Sequence, residues 1–381
     1  MARLGDVFTI SSGGTPNKKE TSFYEHGTIP WVKTGDLKGK YVPDIIECIT
    51  EAGLNNSSAK LFPPNTVLIA MYGATIGACS ILPYEASTNQ ACAAFLPCDN
   101  VLPEYLFYFL SSKKEQFVKD GVGGAQPNIS AGYLKNVEFD IKPIDKQKEV
   151  ICSLNLVDNL ISLRKQQLAK LDELDKSRFV ELFGDPNLNN KSWEKGVIND
   201  IGTCVAGATP STQVKKYWEN GTIPWMSSGE VNKGRVFETD TKITQLGYDN
   251  ASTKLVPPKT VVLAMAGQGK TRGTAAITEI ELCTNQSICS IVNNEKVNAE
   301  YLLHFLKLQY MELRGASTNT DGRGGLNLKI IGNYPIMIPP IELQNQFATF
   351  VEQTDKSKLT IQQSLDKLET LKKALMQKYF G

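Results

Sequence analysis

Histidine is nearly missing from this chain. Its 381 residues include two, His26 and His304, which argues against acid–base chemistry or metal ligation built on imidazole and leaves carboxylates as the remaining option. Long apolar runs are missing as well. No stretch reaches 18 consecutive apolar residues, so no membrane span is expected. The opening MARLGDVFTI lacks the basic start and apolar core of a secretory signal. Eight cysteines are present (Cys48, Cys79, Cys92, Cys98, Cys152, Cys204, Cys283 and Cys289). None form a Cys-x-x-Cys pair, and none stand at zinc-ligand spacing with histidine. They read as reduced, mostly buried thiols of a cytoplasmic protein. An excess of one charge sign is lacking too, with 41 basic against 40 acidic side chains. A chain that grips nucleic acid by charge alone is far more basic. Either nucleic acid is not the ligand, or a partner supplies positive charge.

The chain does contain itself twice. Its length already favours two or more domains over one core. FYEHGTIPW from Phe23 returns as YWENGTIPW from Tyr217, and KLFPPNTVLIAMYG from Lys60 as KLVPPKTVVLAMAG from Lys254, both 194 positions on. STNQA from Ser87 and EYLFYFL from Glu104 return 196 positions on, as CTNQS and EYLLHFL. Asn128 matches Asn327 at 199, and PIDKQ from Pro143 matches PIELQ from Pro340 at 197. A fixed-period internal match means one structural unit used repeatedly.

Each repeat has two parts. About 140 residues of short apolar runs punctuated by Gly, Pro and Asn predict short strands and loops with few helices. A stretch free of Gly and Pro follows, 145–183 in one copy and 342–380 in the other. Apolar residues there recur at steps of three and four. They are Val150, Leu154, Val157, Ile161, Leu168, Leu171 and Leu174, then Phe347, Val351, Ile361, Leu365, Leu368, Leu371, Leu375 and Tyr379. This spacing predicts one long helix per copy with a heptad stripe that must be buried. The expected fold class is α+β: two similar β-rich domains (1–143 and 185–340) and two long helices (144–184 and 341–381). The helices are expected to pair as an antiparallel coiled coil related by a pseudo-twofold axis, a rod of roughly 50 Å with a globular part at each end.

No catalytic motif emerges. MAGQGKTRG from Met265 resembles a phosphate loop, but position 264, where the first glycine belongs, is Ala. The copies differ in their loops. KTGDLKGK faces SSGEVNKGR, YGATIGA faces AGQGKTRGTA, and GVGGAQPNIS faces TDGRGGLNLK. Lys, Arg, Gln, Asn, Ser and Thr in such loops bond base edges and phosphates; the same residue types also make ordinary solvated turns.

The order of GTPNK…GTIPWVKTGDL, TVLIAMYGATIG, STNQA, GAQPNIS, LAKLDELDKSRFVELFGDP and the terminal LDKLETLKKALMQKYFG resembles the specificity subunit of type I restriction-modification systems, over essentially the whole chain. The resemblance implies a non-catalytic subunit of a DNA adenine methyltransferase and endonuclease complex. Each globular part would be a target-recognition domain reading half of a bipartite site in double-stranded DNA. The helices would set the spacing and dock two methyltransferase subunits, with restriction subunits joining through the complex. It places S-adenosylmethionine, ATP and Mg on those partners and no cofactor or metal in this chain. Candidate DNA contacts are Lys33, Thr34, Tyr72, Thr75, Gln126 and Asn128 in the first copy. In the second they are Ser227, Ser228, Gln268, Lys270, Arg272, Arg323 and Asn327. Arg272 and Arg323 are the strongest, since Arg in a Gly-rich loop reaches a groove easily. Trp31 and Trp225 read as core anchors, and Asn89–Gln90 and Asn285–Gln286 as backbone supports. Residues 1–140 hold 11 basic against 14 acidic side chains and residues 187–340 hold 16 against 13, so the first domain is expected to depend on its partners for DNA affinity. Two alternatives stay open: a two-domain enzyme with a site between the repeats, and a scaffold that binds protein only.

Overall fold

The computed structural model describes residues 1–121, 128–267, 269–316 and 325–381. The chain divides into two compact units. The first contains residues 1–165 and 363–381, the second residues 166–362.

In the first unit eight of the short strands form two sheets, beside a two-stranded pair of Ala2–Arg3 with Glu138–Phe139. The strands are β1 (Ile10–Ser12), β2 (Ile29–Val32), β3 (Cys48–Ile49), β4 (Leu61–Phe62), β5 (Val67–Ala70), β6 (Cys79–Ile81), β7 (Ala86–Thr88) and β8 (Cys92–Phe95). One sheet runs β1-β8-β5-β6 and the other β3-β2-β7-β4. β2 and β7 are parallel, with Trp31 opposite Ser87. The β5 and β8 side chains are buried throughout, which explains why TVLIA and CAAF read as continuous apolar runs. Helix α1 (Pro103–Ser112) covers this sheet, starting on a proline at its first turn. A one-turn helix, α2 (Ala131–Lys135), precedes the long helix α3 (Ile144–Phe183).

The second unit repeats the plan. Eight of its strands are β9 (Gly202–Ala206), β10 (Ile223–Met226), β11 (Arg235–Val236), β12 (Thr241–Ile243), β13 (Val261–Ala264), β14 (Ala275–Thr278), β15 (Cys283–Thr284) and β16 (Ile288–Asn293). They form the sheets β9-β16-β13-β14-β11 and β12-β10-β15. Its helices include α4 (Ala299–Leu308), α5 (Tyr310–Ala316), α6 (Leu328–Gly332) and the long α7 (Ile341–Phe380).

The units do not coincide with the repeats. α3 gives its first half to the first unit and its second half to the other, and α7 does the reverse. In the first unit the penultimate residue of the chain, Phe380, packs on Tyr105 at 5.2 Å between ring centroids and on Phe109. In the second, Phe179 and Phe183 pack on Tyr301 and Phe347. Within each unit the helix halves run antiparallel. Arg164 Nε donates to Ser364 Oγ at 3.2 Å, and Lys372 pairs with Asp158 at 2.5 Å. In the second unit Lys358 pairs with Asp172 at 2.7 Å and Asp175 at 2.6 Å.

The apolar stripe holds with two corrections. Val150, Leu154, Val157, Phe347, Val351 and Leu365 are buried, and Ile161, Leu168, Leu171, Ile361, Leu368, Leu375 and Tyr379 are half-buried. Leu174 and Leu371 are each 46 % exposed. Alternating steps of three and four put the next residue, Asp175 or Lys372, on the seam instead. Asp175 tolerates burial because Thr354 Oγ1 donates to it at 2.7 Å and Lys358 neutralises it. The cysteines also differ from expectation. Cys79, Cys92, Cys283 and Cys289 are buried, Cys48, Cys98 and Cys204 are half-buried and Cys152 is exposed, all as free thiols.

His304 on α4 is buried, its Nδ1 2.9 Å from the Glu300 carbonyl oxygen, with Phe347 packed edge-on. Burial, aided by the Lys307 and Lys358 charges and opposed by Asp175, pulls it down to about 4.

Replacing Phe380 with Ala should destabilise the first unit by about 3–5 kcal/mol. The loss should appear as faster hydrogen exchange in β5, β8 and α1, with β13 and α4 unchanged. His304 resists protonation when folded, so its contribution to stability is complete above pH 6.5 and is lost as pH falls from 6.5 towards 4. The loss is on the order of 3 kcal/mol; acid titration of unfolding should show this slope, flattened in His304→Gln.

Candidate nucleic-acid interface

Three loops meet in each unit around one short connection between the two sheets. In the first unit that connection is Asn89–Ala91, between β7 and β8. The Asn89 N–H donates to the Val32 carbonyl at 3.0 Å, and the Met71 N–H to the Ala91 carbonyl at 2.9 Å. The chain therefore leaves β2 at Lys33 and β5 at Tyr72 from two sides of one turn. The Ile129 N–H donates to the Met71 carbonyl at 3.0 Å, bringing in the third loop. The second unit repeats each bond, Asn285 to Met226 at 3.0 Å, Met265 to Ser287 at 2.8 Å and Leu326 to Met265 at 3.0 Å.

A fourth segment locks the turn. The Gly14 N–H donates to the Thr88 carbonyl at 2.9 Å, and a methyl on Gly13 would lie 2.0 Å from that oxygen, so only glycine fits. At Gly207 the corresponding distance is 1.8 Å, to Thr284. The repeated tryptophans hold this segment, as Trp31 Nε1 donates to the Gly14 carbonyl and Trp225 Nε1 to the Ala208 carbonyl, each at 3.0 Å. Both indoles are buried. Thr15 and Thr209 then donate their hydroxyls to the amide oxygens of Gln90 and Gln286. These glutamines are exposed at the centre of each loop cluster. The sequence suggested backbone support for both residues of Asn-Gln. The structure gives that role to the Asn285 side chain, whose Oδ1 accepts from the Ser287 N–H at 3.0 Å, and presents both glutamines to solvent. The matched Thr15–Pro16 and Thr209–Pro210 were the available signal.

In the first unit Lys33 and Thr34 open one loop, Tyr72 and Thr75 sit on the second, and Asn128 bridges to Tyr72 from the third. Tyr72 is 44 % exposed. Thr75 Oγ1 donates to the Tyr72 carbonyl at 3.2 Å. The Lys33 ammonium is committed to Glu47 and lies over the Trp31 ring. In the second unit Ser227 and Ser228 occupy the first loop and Lys270 and Arg272 the second. Ser227 donates its hydroxyl and N–H to the buried Glu230, at 3.1 and 2.8 Å, and so works as a turn cap. Lys270 is exposed and forms no ion pair with the described residues. Arg272 is half-buried with its Nε shielded from solvent, which places it behind Lys270 in accessibility. Gln126, Gln268 and Arg323 lie outside the described residues.

The Asn128–Asn327 match is corrected. Asn327 caps α6, accepting from the Ile330 N–H at 2.9 Å, and the residue that caps α2 is Ser130, accepting from Tyr133 at 3.0 Å. The true offset here is 197, so Asn327 corresponds to Ser130, with Oδ1 engaged in its own backbone. Among the described residues no group of three or more His, Cys, Asp or Glu is arranged to hold a metal, and no helix is long and apolar enough to cross a membrane.

Two copies of one β-rich frame, each carrying a different polar loop cluster and a long helix, define an internally duplicated α+β recognition protein. The model of the type I restriction modification DNA specificity domain matches residues 1–173 and again residues 190–372. The chain belongs to that family and carries the domain twice. It is 25 % identical to the type I restriction enzyme MjaIX specificity subunit of Methanocaldococcus jannaschii, covering 99 % of this chain and 91 % of that one. It is also 25 % identical to the EcoR124I/EcoR124II specificity subunit of Escherichia coli, over 46 % of this chain and 45 % of the other. The type I restriction-modification S subunit from M. genitalium shares the fold, with TM-score 0.61 and 15 % identity over 100 % of this chain and 95 % of that one.

Proposed function

We propose that this chain is the DNA sequence-recognition subunit of a type I restriction-modification complex. Each loop cluster reads one half of a bipartite site in double-stranded DNA. The long helices set the distance between halves and dock two methyltransferase subunits, and restriction subunits join through that complex. The chain performs no catalysis itself. S-adenosylmethionine, ATP and Mg act on the partner subunits, and the complex works in the cytoplasm.

One observation carries this reading: the three backbone bonds that gather the loops around Asn89–Ala91 recur around Asn285–Ser287, while the side chains mounted on that frame differ. A frame held constant with exchanged polar loops suits two readouts by one geometry. Gln90 and Gln286 join Lys33, Thr34, Tyr72, Thr75, Asn128, Ser228 and Lys270 as candidate contacts. Gln126, Gln268 and Arg323 remain proposed from their sequence positions alone. Near-neutral charge supports a division of labour in which the partners supply much of the phosphate attraction.

Co-expression with the cognate methyltransferase subunit in a methylation-free host, followed by mapping of methyladenine, should return a two-part motif with a methylated adenine in each half. A contiguous motif, or none, would overturn the reading, and methyl transfer by the chain alone would favour an enzyme. In the reconstituted complex, Lys270→Ala should relax discrimination about tenfold at positions in one half of the motif. Lys33→Ala should relax it less in the other half, because Glu47 already engages that ammonium.

A further inference from the structure

The loop that carries Lys270 leaves β13 and returns as β14. Its backbone acceptors are turned inward onto one face of α5. Arg314 Nη1 donates to the Gly269 carbonyl at 2.8 Å and to the Arg272 carbonyl at 3.2 Å. Between them Tyr310 donates its hydroxyl to the Lys270 carbonyl at 2.9 Å, and Thr274 Oγ1 donates to the same oxygen at 2.9 Å. Arg314 also lies against Tyr310, with Nη1 3.0 Å from the phenol oxygen and the guanidinium carbon 5.4 Å from the ring centroid. Gly273, at φ +83°, leaves room for the Arg314 stem, since a methyl there would lie 3.2 Å from Cγ.

The clamp is rooted in the core. Leu313, between the two clamp residues, is fully buried. Gln309, one residue before Tyr310, is also buried, donating to Asn187 at 3.0 Å and accepting from Tyr334 at 2.7 Å. With three carbonyls drawn inward, Lys270 is left exposed on the outer side.

Among the described residues of the first unit no equivalent pair braces the matching loop. The positions 196 earlier are Lys114 and Val118, neither a guanidinium nor a phenol, and Val118 is 45 % exposed.

We propose that Tyr310 and Arg314 are specificity-positioning residues of the second unit, holding the Lys270 loop in its DNA-reading shape without touching DNA. The inference rests on the recognition reading above. A loop already ordered before binding loses less conformational freedom on docking, and a fixed donor discriminates between bases where a mobile one adapts to them.

The test uses the full chain in complex with its methyltransferase partner, as wild type, Tyr310→Phe and Arg314→Met. Methyladenine mapping should show discrimination falling about tenfold at positions in one half of the motif for Arg314→Met, less for Tyr310→Phe, and the other half unchanged. The salt slope of DNA binding should stay at the wild-type value. A slope reduced by about 1 in Arg314→Met would mean a phosphate contact and overturn the proposal. Equal loss in both halves, or wild-type discrimination in both variants, would overturn it too. Tyr310→Phe removes a single hydroxyl, so it carries the test if Arg314→Met lowers the melting temperature of the chain. A wild-type complex that returns no two-part motif defeats the recognition reading itself; a two-part motif that both variants leave intact defeats only the clamp.

Discussion

Neither long helix can bury its apolar stripe alone, and neither β-rich core closes without helix residues from far along the chain. The first unit needs Phe380, Leu375 and Tyr379 against Tyr105 and Phe109. The second needs Phe179 and Phe183 against Tyr301. Burial of these rings couples each recognition frame to a paired helix segment, so frame and helices are stabilised together.

Polar groups on the seam make that pairing specific. Asp175, Thr354, Lys358, Arg164 and Lys372 sit where the heptad would accept an apolar residue, Asp175 bonded to Thr354 and Lys358, Arg164 to Ser364 and Lys372 to Asp158 across the helix pair. A slip of one turn would separate these partners and leave buried charge uncompensated, a larger penalty than a lost apolar contact. Further polar contacts tie the helices to the loops. Arg235, just after the Ser227 loop, binds Glu279 and Glu300 at 2.7 Å and Asp355 of α7 at 2.6 Å. Lys40, just after the Lys33 loop, binds Glu104 and donates to Asn155 of α3 at 2.6 Å. Glu104 and Glu300 belong to the repeated EYL segment, so one matched carboxylate per unit anchors the far end of a reading loop.

The frame explains why some residues recur. GTIPW delivers an indole N–H to the segment that presses a glycine onto the inter-sheet turn, and TNQ supplies that turn. Residues in this lock meet the same backbone atoms in both units and cannot vary independently. The loops that depart from it are not bound by that lock and differ, down to one loop braced by Arg314 and its counterpart held by Thr75.

Duplication, the α+β class, the two helices and the location of the variable loops were legible in the sequence, because repeats and heptad spacing are local patterns of identity and period. Side-chain roles were legible only in part. Trp31 and Trp225 proved to be anchors, but Asn327 is a helix cap equivalent to Ser130, Ser227 serves Glu230, and Lys33 is paired with Glu47. Leu174 and Leu371 left the seam because their polar neighbours found partners on the opposing helix. The sequence by itself determined which segments must be alike and which helices must share a stripe. Only the tertiary structure decided which half of each helix completes which core and which polar groups remain available to a ligand. The first outcome depends on ring contacts between residues far apart in the chain, and the second on which carboxylate or backbone group each side chain meets once the loops are folded; neither is recorded in a pattern of identity or period.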